Sequence, residues 1–227
     1  MAEKTIIDLN GMQVDITDLL KQLRPKSQLM SADDYISMVE YYQEQTRREL
    51  YLYTEVDQVS VQEVISPILK FNREDKGKKA EERKPIWLHI YSPGGSTTAG
   101  SALIDTILQS ITPVYTVNDG MAYSMAGLIF IAGAKRFAYE RSSVMLHDGS
   151  VELAGDMSKV MDFIGYQQKW EKQSKQFVLS HTSITDKEYD EQSHKDWYLL
   201  ADYAKEKGMV DYIIGEDCTL DDILPAD

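Results

Sequence analysis

Two short segments of this sequence hold residue types that could carry chemistry. The first, Gly120-Met121-Ala122-Tyr123-Ser124-Met125-Ala126-Gly127, puts a serine at the start of a run of small residues. If that run is a helix, its first N–H groups and its dipole favour negative charge developing beside the hydroxyl. It is not the G-x-S-x-G elbow, because Ala122 and Ala126 occupy the glycine positions. The plain alternative is Ser124 as a helix N-cap. The second segment is Ser92-Pro93-Gly94-Gly95. Paired glycines let the backbone approach a substrate and can aim N–H groups at an anion. Its plain alternative is an ordinary turn between a strand and a helix.

A serine nucleophile needs a base, and the chain has four histidines, His89, His147, His181 and His194. His147 ends a strand-like run twenty-three residues after Ser124 and is followed by Asp148-Gly149-Ser150. A strand end beside the two turns is where a base could stand; the alternative is a partly buried structural histidine. His181 and His194 lie among polar residues and read as surface groups, and His89 shares a strand face with Trp87, where packing is the default. A triad also needs an acid to orient the imidazole. Residue-by-residue reading selects none of the 37 acids. It stops at a candidate serine with a candidate histidine.

The elements that must position these residues follow from periodicity. Residues 4–15 alternate around Asn10-Gly11 as a hairpin. Short helices are expected over 18–23 and 32–46, and the whole of 1–46 reads as an extension. Leu50–Val56 is rich in strand formers, and a helix follows that Pro67 should kink or split. Residues 72–84 are almost wholly polar and read as an exposed loop; interrupting acids make a nucleic-acid patch the lesser alternative. Strand 86–91, helix 98–110, strand 114–117, a turn over 118–123 and helix 124–132 then alternate, with short strands at 136–138 and 144–146. That order implies a parallel sheet with crossover helices. Asp156 should cap a long helix to about Ser180, Thr185 and Glu188 a second one, and a helix near 202–207 should end at Gly208 before a strand over 210–214.

Composition bounds the rest. With 227 residues, 43% of them hydrophobic, the chain can build one cored domain with a small extension. Its 24 basic and 37 acidic residues give a net charge of −13, which argues against a dedicated nucleic-acid binder. The lone Cys218 forms no internal disulfide or metal pattern. No run of about 18 apolar residues suggests a membrane span, and the N-terminus lacks a secretory pattern. A soluble, cytoplasmic protein is the expectation.

At the candidate site the sequence resembles the ClpP family, the proteolytic subunit of ATP-dependent Clp protease. The likeness lies in HIYSPGGSTTAG, GMAYSMAG, IAGAKRFA and VMLHDG, and again in Asp196-Trp197-Tyr198-Leu199 followed by Gly208-Met209-Val210-Asp211. These occur in the family's order over residues 48–214, roughly three-quarters of the chain. The resemblance implies a ClpP/crotonase-like α/β fold of repeated ββα units over 47–227, with a projecting handle at about 149–185. It implies that Ser124 is the nucleophile, His147 the base and Asp196 the orienting acid, with Gly95 and Met125 N–H groups as the oxyanion hole. The implied reaction is hydrolysis of unfolded polypeptides, with no metal and no cofactor. The implied assembly is a homo-oligomer, a heptameric ring that the handles pair into a tetradecamer. An AAA+ unfoldase is the implied partner, docking in a cleft at Trp87 and His89; no nucleic acid and no membrane are involved.

Several positions depart from the family. Met121 and Tyr123 precede the serine where the family has Gln and Ala, Asp148-Gly149 follow the histidine where it has Gln-Pro, and His89 stands at an aromatic position of the docking cleft. Lys195 replaces an arginine that contacts the other ring; lysine cannot make the same bidentate pair, which sets the heptamer above the tetradecamer. The strand 149–155 has fewer glycines than usual. These features, with the 1–46 extension, point to a divergent branch of phage or prophage type. Two other readings stand beside the peptidase: a non-catalytic structural ring subunit, and a crotonase-fold acyl-CoA enzyme that needs no Ser–His–Asp set. A serine hydrolase with a lysine base is disfavoured by the histidine at the family position.

Overall fold

The computed structural model describes residues 6–9, 12–15, 47–149 and 153–224. The chain divides into two units, Met1–Gln43 and Glu44–Asp227. In the first, β1 (Ile6–Leu9) and β2 (Met12–Asp15) pair antiparallel with Leu9 opposite Met12. The Asn10-Gly11 turn, both short helices expected before residue 47 and part of the strand expected over 149–155 lie outside the described residues.

The second unit is built on a seven-stranded sheet. Strands β3 (Glu49–Leu52), β4 (Ile86–Ser92), β5 (Val114–Tyr123), β6 (Lys135–Tyr139) and β9 (Tyr212–Ile214) lie side by side in that order, all parallel. Two more strands leave this path: β7 (Ser143–Leu146) pairs parallel with the end of β5, and β8 (Trp197–Leu200) pairs antiparallel with β7. The sheet is therefore mixed rather than wholly parallel. Helices α1 (Gln58–Glu74), α2 (Thr97–Gln109) and α3 (Met125–Ile131) connect the early strands. Later come α4 (Met157–His181), α5 (Asp186–Gln192) and α6 (Ala201–Glu206).

Strand alternation separates two apolar clusters. Ile86, Leu88 and Ile90 of β4 join Ile68, Leu103, Ile129 and Phe130 in the main core under the helices. Trp87, one step along the strand, faces the other way and packs with Val117, Phe137, Ile214 and Ile223.

Three expectations need correction. Pro67 does not split its helix: α1 is continuous, and the carbonyl that loses its donor belongs to Glu63, an exposed residue whose environment supplies water. The polar stretch 72–84 is not a plain loop, because α1 runs on to Glu74, a 3₁₀ turn forms at Ala80–Glu82, and Asp75 is fully buried. Residues 118–123 are not a turn. The strand continues to Tyr123 because β7 takes up its hydrogen bonds where β6 stops. Between the pairs Ile90–Asn118 and Ser92–Ala122, β4 advances two residues and β5 four, so the bulge sits in β5. Asn118 bridges the split: its Nδ2 donates to Ser143 O at 2.9 Å and its Oδ1 accepts from Gly120 N at 3.1 Å.

Two expected caps also differ in detail. Asp156 precedes α4 but makes no side-chain cap bond, its carboxylate lying 3.0 Å from Lys159 Nζ. Thr185 caps α5 through Glu188 N at 3.2 Å, while the Glu188 carboxylate pairs with Lys207 instead of reaching back.

Asp75 ties the start of β3 to the end of α1. It accepts from Arg48 Nη1 at 2.6 Å and Nη2 at 2.9 Å, from Lys78 Nζ at 2.8 Å and from Thr112 Oγ1 at 2.7 Å. The Arg48 hydrogen bonds, foremost, hold its carboxyl well below the ordinary carboxylate range. A depressed carboxyl contributes stability that is present in full above the unfolded value, about 3.9, and that is lost as pH falls toward the folded value. Replacing one partner of a buried pair costs about 3 kcal/mol. Asp75→Asn should therefore lower urea-unfolding stability by about that amount at pH 7, with a smaller penalty at pH 3. An equal penalty at both pH values would show that Asp75 acts by shape alone.

Candidate active site

Three adjacent strands deliver the three candidate side chains from their ends. In the parallel β5–β7 ladder Tyr123 is opposite Met145, so Ser124 leaves β5 where β7 is about to end. In the antiparallel β7–β8 ladder Leu146 is opposite Trp197, and one further step places His147 beside Asp196. His147 Nε2 lies 2.7 Å from Ser124 Oγ, and His147 Nδ1 lies 3.2 Å from Asp196 Oδ1. A serine donating to Nε2 requires the tautomer with its proton on Nδ1, facing the carboxylate. The His147 side chain is 23% exposed and that of Asp196 59%, so the carboxylate acts through water-screened space.

Ser124 is not a plain N-cap. It stands at the N-cap position of α3 but makes no side-chain cap bond, and its backbone has φ 52° and ψ −122°. That left-handed φ costs a non-glycine residue energy and turns the chain sharply from strand to helix. The turn is held by Ser124 N donating to Met145 O at 2.8 Å and by Gly127 N donating to Ser124 O at 3.0 Å. It is an elbow in form although Ala122 and Ala126 replace two glycines. Gly127 supplies the close packing: a Cβ there would lie 3.1 Å from both Ala122 O and Met145 O.

The Gly94-Gly95 turn abuts this elbow. A Cβ on Gly94 would lie 2.6 Å from Tyr123 O, 2.8 Å from Ser124 Cβ and 3.0 Å from Met125 N, and Gly94 has φ +95°. Val56 N donates to Gly94 O at 2.8 Å and Ser96 N donates to Val56 O at 2.7 Å. In such a parallel bridge the N–H of the central residue, Gly95, points away from Val56. Met125 is the first residue of α3, so its N–H has no partner within the helix.

Ser124 and His147 line a pocket of about 150 Å³. Its walls come from α3 (Met125, Leu128), the end of β7 (Leu146) and one face of α4 (Gln167, Trp170, Glu171, Ser174), with Tyr189 of α5. Trp170 is fixed by its Nε1, which donates to Ser101 Oγ at 3.2 Å.

The other residues singled out fall elsewhere. Asp148 also lines the pocket; it is exposed to solvent, and its carboxylate lies 3.1 Å from His194 Nδ1. His181 is half-buried, its Nδ1 2.9 Å from Phe177 O at the end of α4. Tyr123 turns from the pocket, its hydroxyl 2.8 Å from Ser143 Oγ and its ring edge-on to Tyr198. Trp87 and His89 are each less than a tenth exposed. Trp87 packs on Tyr115 and Phe137, while His89 stacks on Tyr51 and holds Asp119 at 3.0 Å through Nδ1. Tyr53 donates to the same Asp119 at 2.6 Å; burial, and then this bond, push its hydroxyl above the ordinary range. Burial also raises the Cys218 thiol, which leaves it a poor nucleophile.

Residue reading alone missed the acid because it missed β8. The available signal was weak: Trp197-Tyr198-Leu199-Leu200 is a four-residue apolar run headed by two strand-favouring aromatics, with no apolar–polar alternation to mark a face. The elbow strain has no sequence signal beyond the serine between strand and helix.

If the tight fit of Gly94 is what lets the two turns meet, Gly94→Ala should leave circular dichroism native while abolishing covalent labelling of Ser124 by a small fluorophosphonate. Full labelling in that variant would refute the tight-fit argument.

A model of the Clp protease family matches residues 33–217. The chain is 32% identical over 182 residues to an ATP-dependent Clp protease proteolytic subunit 1 of Streptomyces avermitilis, covering 79% of this chain and 80% of that one. It is 30% identical over 169 residues to proteolytic subunit 2 of Corynebacterium diphtheriae, covering 74% and 82%. A Bacteroides fragilis proteolytic subunit is 31% identical over 169 residues, covering 74% and 79%. With its strand-end serine and histidine already in contact, the chain belongs to the Clp protease family.

Proposed function

We propose that this chain is a Clp-type serine endopeptidase in which Ser124 is the nucleophile, His147 the general base and Asp196 the orienting acid. The observation that carries the reading is the 2.7 Å contact between Ser124 Oγ and His147 Nε2 on a strained strand-to-helix elbow. In the reaction, His147 takes the serine proton as Oγ attacks a peptide carbonyl. The N–H groups of Gly95 and Met125 receive the oxyanion. His147 then protonates the leaving amine, and water, deprotonated in turn by His147, hydrolyses the acyl-enzyme. Asp196 keeps the proton of the resting imidazole on Nδ1 and favours the imidazolium.

The assembly proposed is a homo-oligomeric chamber, a heptameric ring with two rings pairing through α4. Supporting this, α4 buries only Val178 among its described residues and exposes Met157 (77%), Met161 (58%), Tyr166 (49%) and Phe163 (38%). Such an apolar stripe on a long helix suits a partner of the same kind. An AAA+ unfoldase is proposed to dock on the aromatic face that carries Trp87; Ile223, itself fully buried, now covers part of it, so docking there requires the C-terminal segment to shift. No helix among the described residues is long and apolar enough to cross a membrane.

The structural-subunit reading predicts an inert serine. Intact-mass spectrometry after fluorophosphonate treatment separates the two. A single adduct on the wild-type chain, absent from Ser124→Ala and reduced at least a hundredfold in rate in His147→Ala, is the expected result. An adduct rate unchanged in His147→Ala would overturn the assignment of the base, and no adduct on the folded wild-type chain would overturn the peptidase reading.

A further inference from the structure

We infer that Glu171 makes the pocket beside Ser124 select a basic side chain, lysine or arginine, on the residue whose carbonyl is attacked. This rests on the peptidase reading above and specifies its substrate class. The side chain attached next to the attacked carbonyl is the one that must lie beside Ser124, and the pocket there is lined by Ser124 and His147 themselves.

Glu171 reaches the pocket with Gln167, Trp170 and Ser174, the spacing of a single helix face. A glutamate on a helix ordinarily finds a lysine four residues on, and Lys175 is in that place. Lys175 is instead engaged by α5, at 3.0 Å from Asp186 Oδ1 and 2.5 Å from Asp190 Oδ1. Its two hydrogen bonds to those aspartates raise its pKa, so it remains charged and committed to them. Among the described residues Glu171 has neither a hydrogen bond nor an ion pair. Its charge is nonetheless felt inside the pocket: after burial, it is the next cause that pushes the Tyr189 hydroxyl upward.

The other charged groups that line the pocket among the described residues do not offset it. Asp148 is a second carboxylate, held by His194, and His147 is turned toward Ser124 and Asp196. Leu128, Leu146 and the Trp170 indole supply apolar wall. An apolar wall ending at an unpaired carboxylate fits a long aliphatic stem with a cationic tip, which keeps its stem on the wall and its head at the wet rim. A short or acidic side chain gains neither contact.

The test uses the full chain and three fluorogenic peptides that differ only before the scissile bond, carrying Arg, Leu or Glu. Wild type should cleave the Arg peptide with the highest kcat/KM and the Glu peptide with the lowest. Glu171→Gln should reduce kcat/KM for the Arg peptide about fivefold, the size expected of a solvent-facing ion pair, and leave the Leu peptide within about twofold. Glu171→Lys should reverse the order of the Arg and Glu peptides. Raising sodium chloride from about 0.05 to about 0.5 M should erode the Arg advantage in wild type only. Fluorophosphonate labelling of Ser124 runs beside each variant. Normal labelling with an unchanged Arg-to-Leu ratio in Glu171→Gln overturns this inference and leaves the peptidase standing. Absence of both labelling and cleavage in wild type removes the peptidase reading and this inference with it.

Discussion

Ser124 is held at φ 52°, where an L-residue costs about 1–3 kcal/mol, and the rest of the site is arranged around keeping it there. The constraint is met by backbone, not by the serine side chain. Met145 O accepts from its N–H, and its carbonyl accepts from Gly127 N in the first turn of α3. This leaves Oγ unencumbered for His147. It also explains why β5 must divide its pairing. Its first half belongs to β6, its second half to β7, and Asn118 closes the gap between them. Without that division β7 would have no place beside the elbow, and His147 would not be brought to Ser124.

The main pattern was legible in the sequence because it rests on local rules. The alternation of strand, glycine turn and helix between Ile86 and Ile131 follows from periodicity and turn residues, and the observed boundaries fall within a residue or two for β4, α2 and α3. What was not legible depends on partners distant in the chain. Nothing near Asn118 announces that the strand will change neighbours and continue. Nothing near Asp75 announces that Arg48 and Thr112 will enclose it, and a polar run is the natural reading of its surroundings. Asp196 came only from resemblance to a family, since the strand that places it is four residues long and pairs with another of four.

Charge is distributed with the same economy. The chain carries thirteen net negative charges, yet the carboxylates that matter structurally are each given specific donors: Asp75 its arginine, Asp211 the fork of Arg136 at 2.6 and 3.0 Å, Asp217 the ammonium of Lys205. The α5 helix, with Asp186 and Asp190, draws Lys175 across to itself and packs Tyr189 behind the pocket. The packing of α5 against α4 thus sets the electrostatic character of the cavity wall as well as its shape. The tie of Lys175 to α5 leaves Glu171, at the pocket, without an ion pair among the described residues.

The dependence of the site on strand register has a temporal side. Side chains alternate faces along a strand, so a slip of one residue between β7 and β8 would turn Asp196 away from His147. Ser124 and His147 are both in place once β5 and β7 pair, but β8 begins at Trp197, well after β7 ends at Leu146. A chain emerging from the ribosome therefore carries its serine and histidine long before it carries the strand that completes the set. The proposed constellation is complete only when β8 pairs with β7, and until that segment is made the growing chain is without the carboxylate beside His147.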